Sequence, residues 1–262
     1  MRPVIVATIL RREWHETIRN RLLLSTILLP PLFLTIAPIV LAGAVGESTL
    51  PPELATQVLA QRPEWSSLTP GELAGAFAVQ QFLVFFLLMP AYIPLSIATF
   101  SIIGEKQARS LEPVLATPIR TSELLAGKAI AALVPGVLAG WATYAIFVVL
   151  SSIVYGPALF GVVTDPSWLA GVFLLGPAVG LSSVVAGVIV SARANDPRVA
   201  QQIGGVVIVP VIALVLLQAT GTLLVGPAGY LVLSAGVLAV SAVGLRVGVR
   251  LFDRDAILTR WR

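Results

Sequence analysis

The sequence has no cysteine and little charge. Without cysteine, its 262 residues cannot form a disulfide, a thiolate metal site or a thiol nucleophile. Only 11% of the residues are charged and 57% are hydrophobic, whereas an average soluble domain has roughly 25% charged residues. The one histidine, His15, lies in a basic segment before the first apolar run, so no imidazole is left for a proton relay or a metal cluster within the membrane. The low charge excludes a water-soluble fold, and the lack of cysteine excludes a thiolate metal site.

The chain has instead long runs without charge. An α-helix needs about 20 apolar residues to cross the hydrocarbon core of a bilayer. Runs of about this length without Asp, Glu, Lys, Arg or His cover residues 22–46, 73–103, 129–155, 168–192, 203–225 and 228–245. They predict an all-α integral membrane protein with six transmembrane helices, forming one domain over residues 1–262.

The basic residues predict how these helices are oriented. Lys and Arg near the ends of spans are retained on the cytoplasmic side. If the N-terminus is inside, 16 of the 17 Lys and Arg residues are cytoplasmic and only Arg62 is external. We therefore expect a multi-pass protein of the cell (cytoplasmic) membrane with both termini in the cytoplasm, including a basic tail at residues 246–262.

Helix-start patterns stand before three of the spans. A capping box, or an N-cap acceptor followed by proline, is typical of the first turn of a helix. The patterns are Thr69-Pro70-Gly71-Glu72, Asp165-Pro166 and Asp196-Pro197. They predict where spans two, four and five begin. A short external helix is expected over residues 53–61.

The N-terminal segment, residues 1–21, has helical periodicity. An apolar row with four-residue spacing is formed by Val6, Leu10, Trp14 and Ile18. A neighbouring basic face is formed by Arg11, Arg12, His15 and Arg19. This pattern predicts an amphipathic helix in the cytoplasmic interface. A solvated basic arm is the alternative.

The cytoplasmic loop between spans two and three, residues 104–128, is a candidate contact for a partner protein. Leu111 and Leu115 are four residues apart and would share one side of a short helix. Charged residues surround them, as in a helix that inserts an apolar knob into a groove of another protein. An ordinary solvated loop has the same composition, so spacing alone does not identify a partner.

The sequence has neither a nucleotide-binding motif nor an ionisable residue in its apolar runs. No Gly-x-x-x-x-Gly-Lys-Ser/Thr motif is present, because Gly127-Lys128 is followed by alanine and preceded at the required position by Ser122. No ionisable residue interrupts the six apolar runs, although proton-driven carriers commonly use one. The chain is therefore not expected to be an enzyme, and its driving force is expected from another subunit.

Several stretches resemble the type 2 ATP-binding-cassette (ABC) exporter permeases. In the loop they are Glu105-Lys106, Ser110-Leu111-Glu112, Leu115-Ala116-Thr117-Pro118 and Ser122-Glu123-Leu124-Leu125-Ala126-Gly127-Lys128. Near the ends of the chain they are Arg12-Glu13, Arg19-Asn20-Arg21, Leu28-Leu29-Pro30-Pro31 and Leu251-Phe252-Asp253-Arg254. Together with the six-span layout, the resemblance covers nearly the whole chain.

The resemblance implies partners and site residues. It implies an interfacial connecting helix, a coupling helix after span two, pairing with a second permease copy or a related permease, and a separate ATPase subunit. This chain would bind no cofactor, and ATP would bind to the partner. The implied ATPase-coupling residues are Glu105, Arg109, Leu111, Glu112, Thr117 and Pro118. Pro113 departs from an uninterrupted coupling helix, because proline removes a backbone donor.

Polar and aromatic residues inside the spans are candidates for a translocation path. They are Gln80, Tyr92, Trp141, Tyr144 and Gln218. Buried groups of this kind require a hydrogen-bond partner or a wet cavity. The alternative to a path is hydrogen bonding between packed spans.

The function expected from these observations is that of an exporter permease driven by ATP hydrolysis on another subunit. A secondary carrier or channel independent of ATP is the alternative, although no inverted repeat is evident. An intramembrane enzyme ranks last, because the spans lack an acid, a base or a metal ligand. The sequence indicates no particular substrate and no metal.

Overall fold

The computed structural model describes residues 2–45, 49–108, 119, 121–220 and 224–251. Its regular structure within those ranges is helical, without a strand. The helices before the loop after span two are α1 Pro3–Arg19, α2 Arg21–Val45, α3 Pro52–Gln61, α4 Pro70–Phe86 and α5 Leu88–Gln107. Those after it are α6 Thr121–Val163, α7 Pro166–Ala170, α8 Gly176–Ser191, α9 Pro197–Gly204, α10 Val209–Ala219 and α11 Pro227–Leu251.

Six helical segments are long and apolar enough to cross a membrane. They are Leu23–Leu41, Pro70–Gln107, Ser122–Pro157, Leu159–Ser191, Pro197–Gln218 and Pro227–Gly248. Short irregular turns continue some of them, with a π-helical turn at Gly171–Leu175 and a 3-10 turn at Gly205–Ile208. The prediction of an all-α membrane protein with six spans is confirmed.

The predicted helix starts are present with their hydrogen bonds. Thr69 and Glu72 form the reciprocal capping box that opens α4, with the Thr69 amide donating to Glu72 Oε2 at 2.8 Å. The Asp165 side chain accepts from the Ser167 amide at 2.7 Å, and Asp196 accepts from the Arg198 amide at 2.7 Å. These bonds satisfy amides that the first turn leaves without a partner.

The helices extend beyond the charge-free runs. α5 continues to Gln107 and α6 begins at Thr121, so both ends of the 104–128 loop are helical. Glu105 and Lys128 therefore belong to the ends of spans two and three. The charged residues at the inner end, meaning the end of the bundle that holds α1, are consequently placed by rigid helices.

One glycine reverses the chain at the other end, called the outer end. Gly156 has φ 69° and ψ −157°, which breaks α6 before Pro157. After this break the chain returns along span three, because the Tyr144 hydroxyl donates to the carbonyl of Val163 at 2.7 Å. Only glycine adopts such a conformation without a steric penalty. The short external loop expected around Asp165 thus includes a helical segment that folds back.

Spans two and four form the centre of the bundle. In their most apolar windows, 78% and 61% of the residues are buried, compared with 24% or less for spans one, five and six. Glycines allow span three to approach both of these central spans closely. A Cβ on Gly136 would lie 2.6 Å from Pro94 and one on Gly180 would lie 2.7 Å from Leu133. The exposed sides of the outer spans are apolar, as a lipid environment requires.

Candidate functional site

A cluster of buried charges joins three helices at the inner end. We call Arg12, Glu13, Glu105 and Lys128 the inner charge cluster. Lys128 Nζ lies 2.5 Å from Glu13 Oε1 and 2.9 Å from Glu105 Oε2, and Arg12 Nη2 lies 3.3 Å from Glu105 Oε1. Two carboxylates and two cations thus balance each other, as buried charges must.

The members of the inner charge cluster differ in exposure. Glu13, Glu105 and Lys128 are 3%, 6% and 4% exposed, whereas the Arg12 side chain is 47% exposed. A further hydrogen bond runs from Lys128 Nζ to Ser101 Oγ at 2.6 Å. A hydrogen bond to Glu16, opposed by partial burial and assisted by Glu105, raises the pKa of Arg12 above its ordinary value. The inner charge cluster is therefore a buried ionic contact that solvent reaches only at Arg12.

α1 is attached to α6 along most of its length. Arg2 at its start binds Glu123, with Nη2 2.9 Å from Oε2 and the backbone amide 2.9 Å from Oε1. Near its middle, Ile9 lies so close to Gly127 that a Cβ there would stand 2.8 Å from Ile9 Cγ2. Trp14 Nε1 then donates to the carbonyl of Ala131 at 3.1 Å. Because of these contacts, α1 is fixed to the start of span three.

The packed face of α1 is not the apolar row that the sequence indicates. Glu13 and Thr17 are its buried residues, whereas Ile18, the last member of the apolar row, is 64% exposed. The ionic partners of Glu13 compensate for its burial, so this acid occupies the packed side. The helix is amphipathic as expected, but its most buried side is polar.

The ATPase-coupling residues inferred from the sequence lie mostly outside the described residues. This applies to Arg109, Leu111, Glu112, Thr117 and Pro118, and to Pro113 between them. Glu105 is described, and both of its carboxylate oxygens face cations of the same chain, Arg12 and Lys128. Glu105 therefore lies at the root of the loop and not on its exposed surface. Its role in coupling stays a prediction.

Four of the five path candidates form hydrogen bonds within the helix bundle. Trp168 Nε1 donates to Gln80 Oε1 at 2.9 Å, Trp141 Nε1 donates to the carbonyl of Val172 at 3.2 Å, and Gln218 Nε2 donates to the Tyr230 hydroxyl at 3.2 Å. Tyr144 forms the bond to Val163 given above and stacks on Trp168, with ring centroids 5.9 Å apart. These contacts fit the packing alternative, while lining of a path stays a prediction.

The fifth candidate, Tyr92, has a 38% exposed side chain. Two of the buried amides retain free atoms, since Gln80 Nε2 and Gln218 Oε1 have no hydrogen-bond partner among the described residues. A buried polar atom without a partner costs about 1–3 kcal/mol.

A second buried cation closes the outer end. Arg62 is 4% exposed, and its guanidinium contacts Asp165 at 3.2 Å, Ser167 Oγ at 2.8 Å and the carbonyl of Val225 at 3.2 Å. We call these four residues the outer latch. Glu64 adds an exposed ion pair at 3.3 Å. The outer latch joins the segment after α3 to the start of α7 and to the segment that precedes α11.

Sequence reasoning missed Glu13 and Lys128 as site residues, and it missed the outer latch. Signals for them existed. Lys128 is the last cation before a long apolar run, and Arg62 is the single base on the predicted external side. Cations at such unusual positions require a partner nearby in space. The sequence could not identify those partners, because Glu13 is 115 positions from Lys128 and Asp165 is 103 positions from Arg62.

A bundle of six apolar helices with its charged residues near the helix ends defines a multi-pass α-helical membrane protein. Residues 7–230 match the family model described as "ABC-2 family transporter protein". The chain therefore belongs to the ABC-2 transporter family and is an ABC transporter permease, a component of membrane transport and not by itself an enzyme. Among curated proteins, none matches the chain.

Proposed function

We propose that this chain is the membrane-spanning permease subunit of an ABC exporter in the cell membrane, with both termini cytoplasmic. It moves substrate outward using ATP hydrolysed by a separate ATPase subunit, pairs with a second copy or a related permease, and binds no cofactor itself. Family membership over residues 7–230 supports a permease. The excess of Lys and Arg on the side of α1 supports the orientation.

The single observation that carries the coupling proposal is the position of Lys128. It binds Glu105, near the end of α5, and Glu13 in the middle of α1. α5 and α6 lead into and out of the cytoplasmic loop, so a force on this loop acts on both helices at the point where Lys128 joins them to α1. In this proposal, closure of the ATPase pulls the loop and the inner charge cluster transmits the movement to spans one, two and three.

The direct contacts with the ATPase are assigned to the loop itself. Arg109, Leu111 and Glu112 would meet the ATPase, and Thr117 and Pro118 would end the coupling helix. Glu105 would act one step away, as a positioning residue that holds the root of the loop through Lys128 and Arg12. Replacing Arg109 would then weaken ATPase binding, whereas replacing Glu105 would weaken the transmission of movement.

The translocation path is proposed to lie beside Gln80 and Gln218. Their free amide atoms could bind a polar group of the substrate in exchange for the missing partners. Tyr92, Trp141 and Tyr144 would supply aromatic surface to the same path. An amphipathic molecule fits this mixture of groups better than a bare ion does.

The experiment begins with a search of the adjacent genes for an ATPase with nucleotide-binding motifs, and that ATPase is then combined with this chain. Both are purified and reconstituted in liposomes, and ATP hydrolysis is measured for each protein alone and for the mixture. We expect no hydrolysis by this chain alone and co-purification of the two proteins. R109A should reduce co-purification, whereas E105Q should leave it intact and lower the permease-dependent part of the hydrolysis.

R193Q is the matched control, because Arg193 is an exposed cytoplasmic arginine outside the loop. Transport by this chain alone, without any ATPase, would overturn the proposal and favour a carrier or channel. If E105Q abolished co-purification as strongly as R109A, Glu105 would be a direct contact and not a positioning residue.

A further inference from the structure

The outward side of α1 carries a row of exposed basic residues. Arg11, His15 and Arg19 are four residues apart, so they follow one another on the same side of the helix. We call these three residues the basic row. Neither arginine forms an ion pair with any residue that the structure describes. Their neighbour Arg12, in contrast, pairs with Glu16 and Glu105.

Apolar residues adjoin the basic row on one side. Ile18 is 64% exposed, and Ala7 is exposed as well. Leu10 and Trp14 continue this flank as half-buried residues. On a helix with 3.6 residues per turn, the apolar flank lies between the basic row and the side that packs on α6.

α1 therefore has three sides with different chemistry. Glu13 and Thr17 face the protein, the flank with Trp14 and Ile18 is apolar, and the basic row points away from both. A helix that lies on a bilayer presents its apolar side to the acyl boundary and its arginines to the headgroups. The order of the three sides allows α1 to contact spans, acyl chains and headgroups at the same time.

We propose that the basic row binds the headgroups of anionic phospholipids. The two guanidinium groups donate to phosphate oxygens, for which Arg has suitable geometry, and the apolar flank contacts the acyl chains of the same lipids. Because α1 also carries Glu13, a bound lipid favours the position of α1 in which the inner charge cluster is closed. The site does not depend on the ATPase.

The proposal is tested by native mass spectrometry of the purified full chain in detergent. The protein is titrated with phosphatidylglycerol or phosphatidylcholine, and the bound lipids are counted. We expect tighter binding of phosphatidylglycerol, and a loss of this preference of roughly thirtyfold in R11Q/R19Q, since each of the two basic residues near an anionic surface contributes about 1 kcal/mol. The control R193Q/R198Q removes two other exposed cytoplasmic arginines and the same charge, and it should keep the preference.

Two results would overturn the proposal. The first is an unchanged preference in R11Q/R19Q; if the ATPase then co-purifies less with this variant, the basic row is a protein-docking surface. The second is an equal loss in R193Q/R198Q, which would indicate attraction by net charge alone. The thermal midpoint of R11Q/R19Q should match that of the unmodified chain, because both side chains are exposed, and this measurement separates lost binding from lost folding.

Discussion

The two ends of the molecule each contain a buried cation, but the cations are held differently. At the inner end, Lys128 lies between the carboxylates of Glu13 and Glu105. At the outer end, Arg62 contacts one nearby carboxylate, a hydroxyl and a carbonyl within the outer latch, and its guanidinium also lies 5.8 Å from the Trp65 ring. Both cations are 4% exposed, so the difference lies in their partners.

The contact of Lys128 at the inner end therefore depends on charge balance, whereas the contact of Arg62 at the outer end depends on geometry. Lys is a compact point charge, whereas the planar guanidinium of Arg distributes its charge over five donors. Loss of Lys128 leaves two buried carboxylates with only the half-exposed Arg12 to compensate them. Loss of one partner of Arg62 leaves the other partners in place. We therefore expect the inner end to respond to single charge changes more strongly than the outer end.

The largest effect is expected for K128M, which removes the positive centre of the inner charge cluster. Breaking a buried ion pair by removing one partner costs about 3–5 kcal/mol, and here Glu13 and Glu105 both lose their contact with Lys128, although Glu105 keeps Arg12. The measurement is the thermal midpoint of the detergent-solubilised chain, followed by tryptophan fluorescence. R193Q serves as the control for loss of a positive charge. A midpoint equal to that of the control would contradict the charge-balance account of the inner end.

The second effect is expected for R62A at the outer end. Asp165 is partly exposed and can be hydrated, so we expect a loss of about 3 kcal/mol, the lower limit for a broken buried pair. R62K keeps the charge without the forked geometry and should recover less than half of this loss. Full recovery in R62K would show that charge, and not geometry, holds the outer latch.

The third effect concerns the packing of α1 on span three. G127A places a Cβ 2.8 Å from Ile9 Cγ2, and overpacking of this kind costs about 1–3 kcal/mol. G104A is the matched control, because its Cβ meets no atom within 4 Å, and it should stabilise α5 by about 0.5–1 kcal/mol through better helix propensity. The two variants should shift the thermal midpoint in opposite directions. Equal shifts would mean that α1 is held by its charges alone.

The smallest effect is expected for D165N, which removes one charge from the outer latch. Asparagine is an equally good N-cap for α7, so only the ion pair with Arg62 is lost. We expect about 1 kcal/mol or less, because Ser167, Val225 and Glu64 still accept from the guanidinium. A loss as large as that of R62A would remove the distinction between the two ends.

The sequence predicts features that depend on local chemistry. The six spans follow from the thickness of a bilayer, and the capping box of Thr69 and the N-caps of Asp165 and Asp196 follow from amides that every helix start must satisfy. Each of these features involves residues that are neighbours in the chain. They are therefore present in the structure where the sequence indicates them.

The candidate site could be predicted only in part, because its contacts join distant residues. Glu13 and Lys128 are 115 positions apart, and no periodicity along either helix indicates that they meet. The partners of the polar residues within the spans could not be predicted either, for the same reason. Their chemistry requires a partner, yet only the packing reveals that Trp168 is the partner of Gln80. The fold-back after Gly156 likewise depends on one backbone conformation that composition does not indicate.

A single residue separates α1 from α2, the helix that contains span one. Asn20 is extended, its amide donates to the last turn of α1, and its side chain accepts from the Leu23 amide at 3.3 Å. Because only Asn20 connects the two helices, we expect a tilt of α1 to be transmitted directly to span one. Residues Glu16 to Leu24 therefore connect the two helices rigidly. A few glycines inserted after Asn20 would uncouple α1 from α2 while leaving each helix folded.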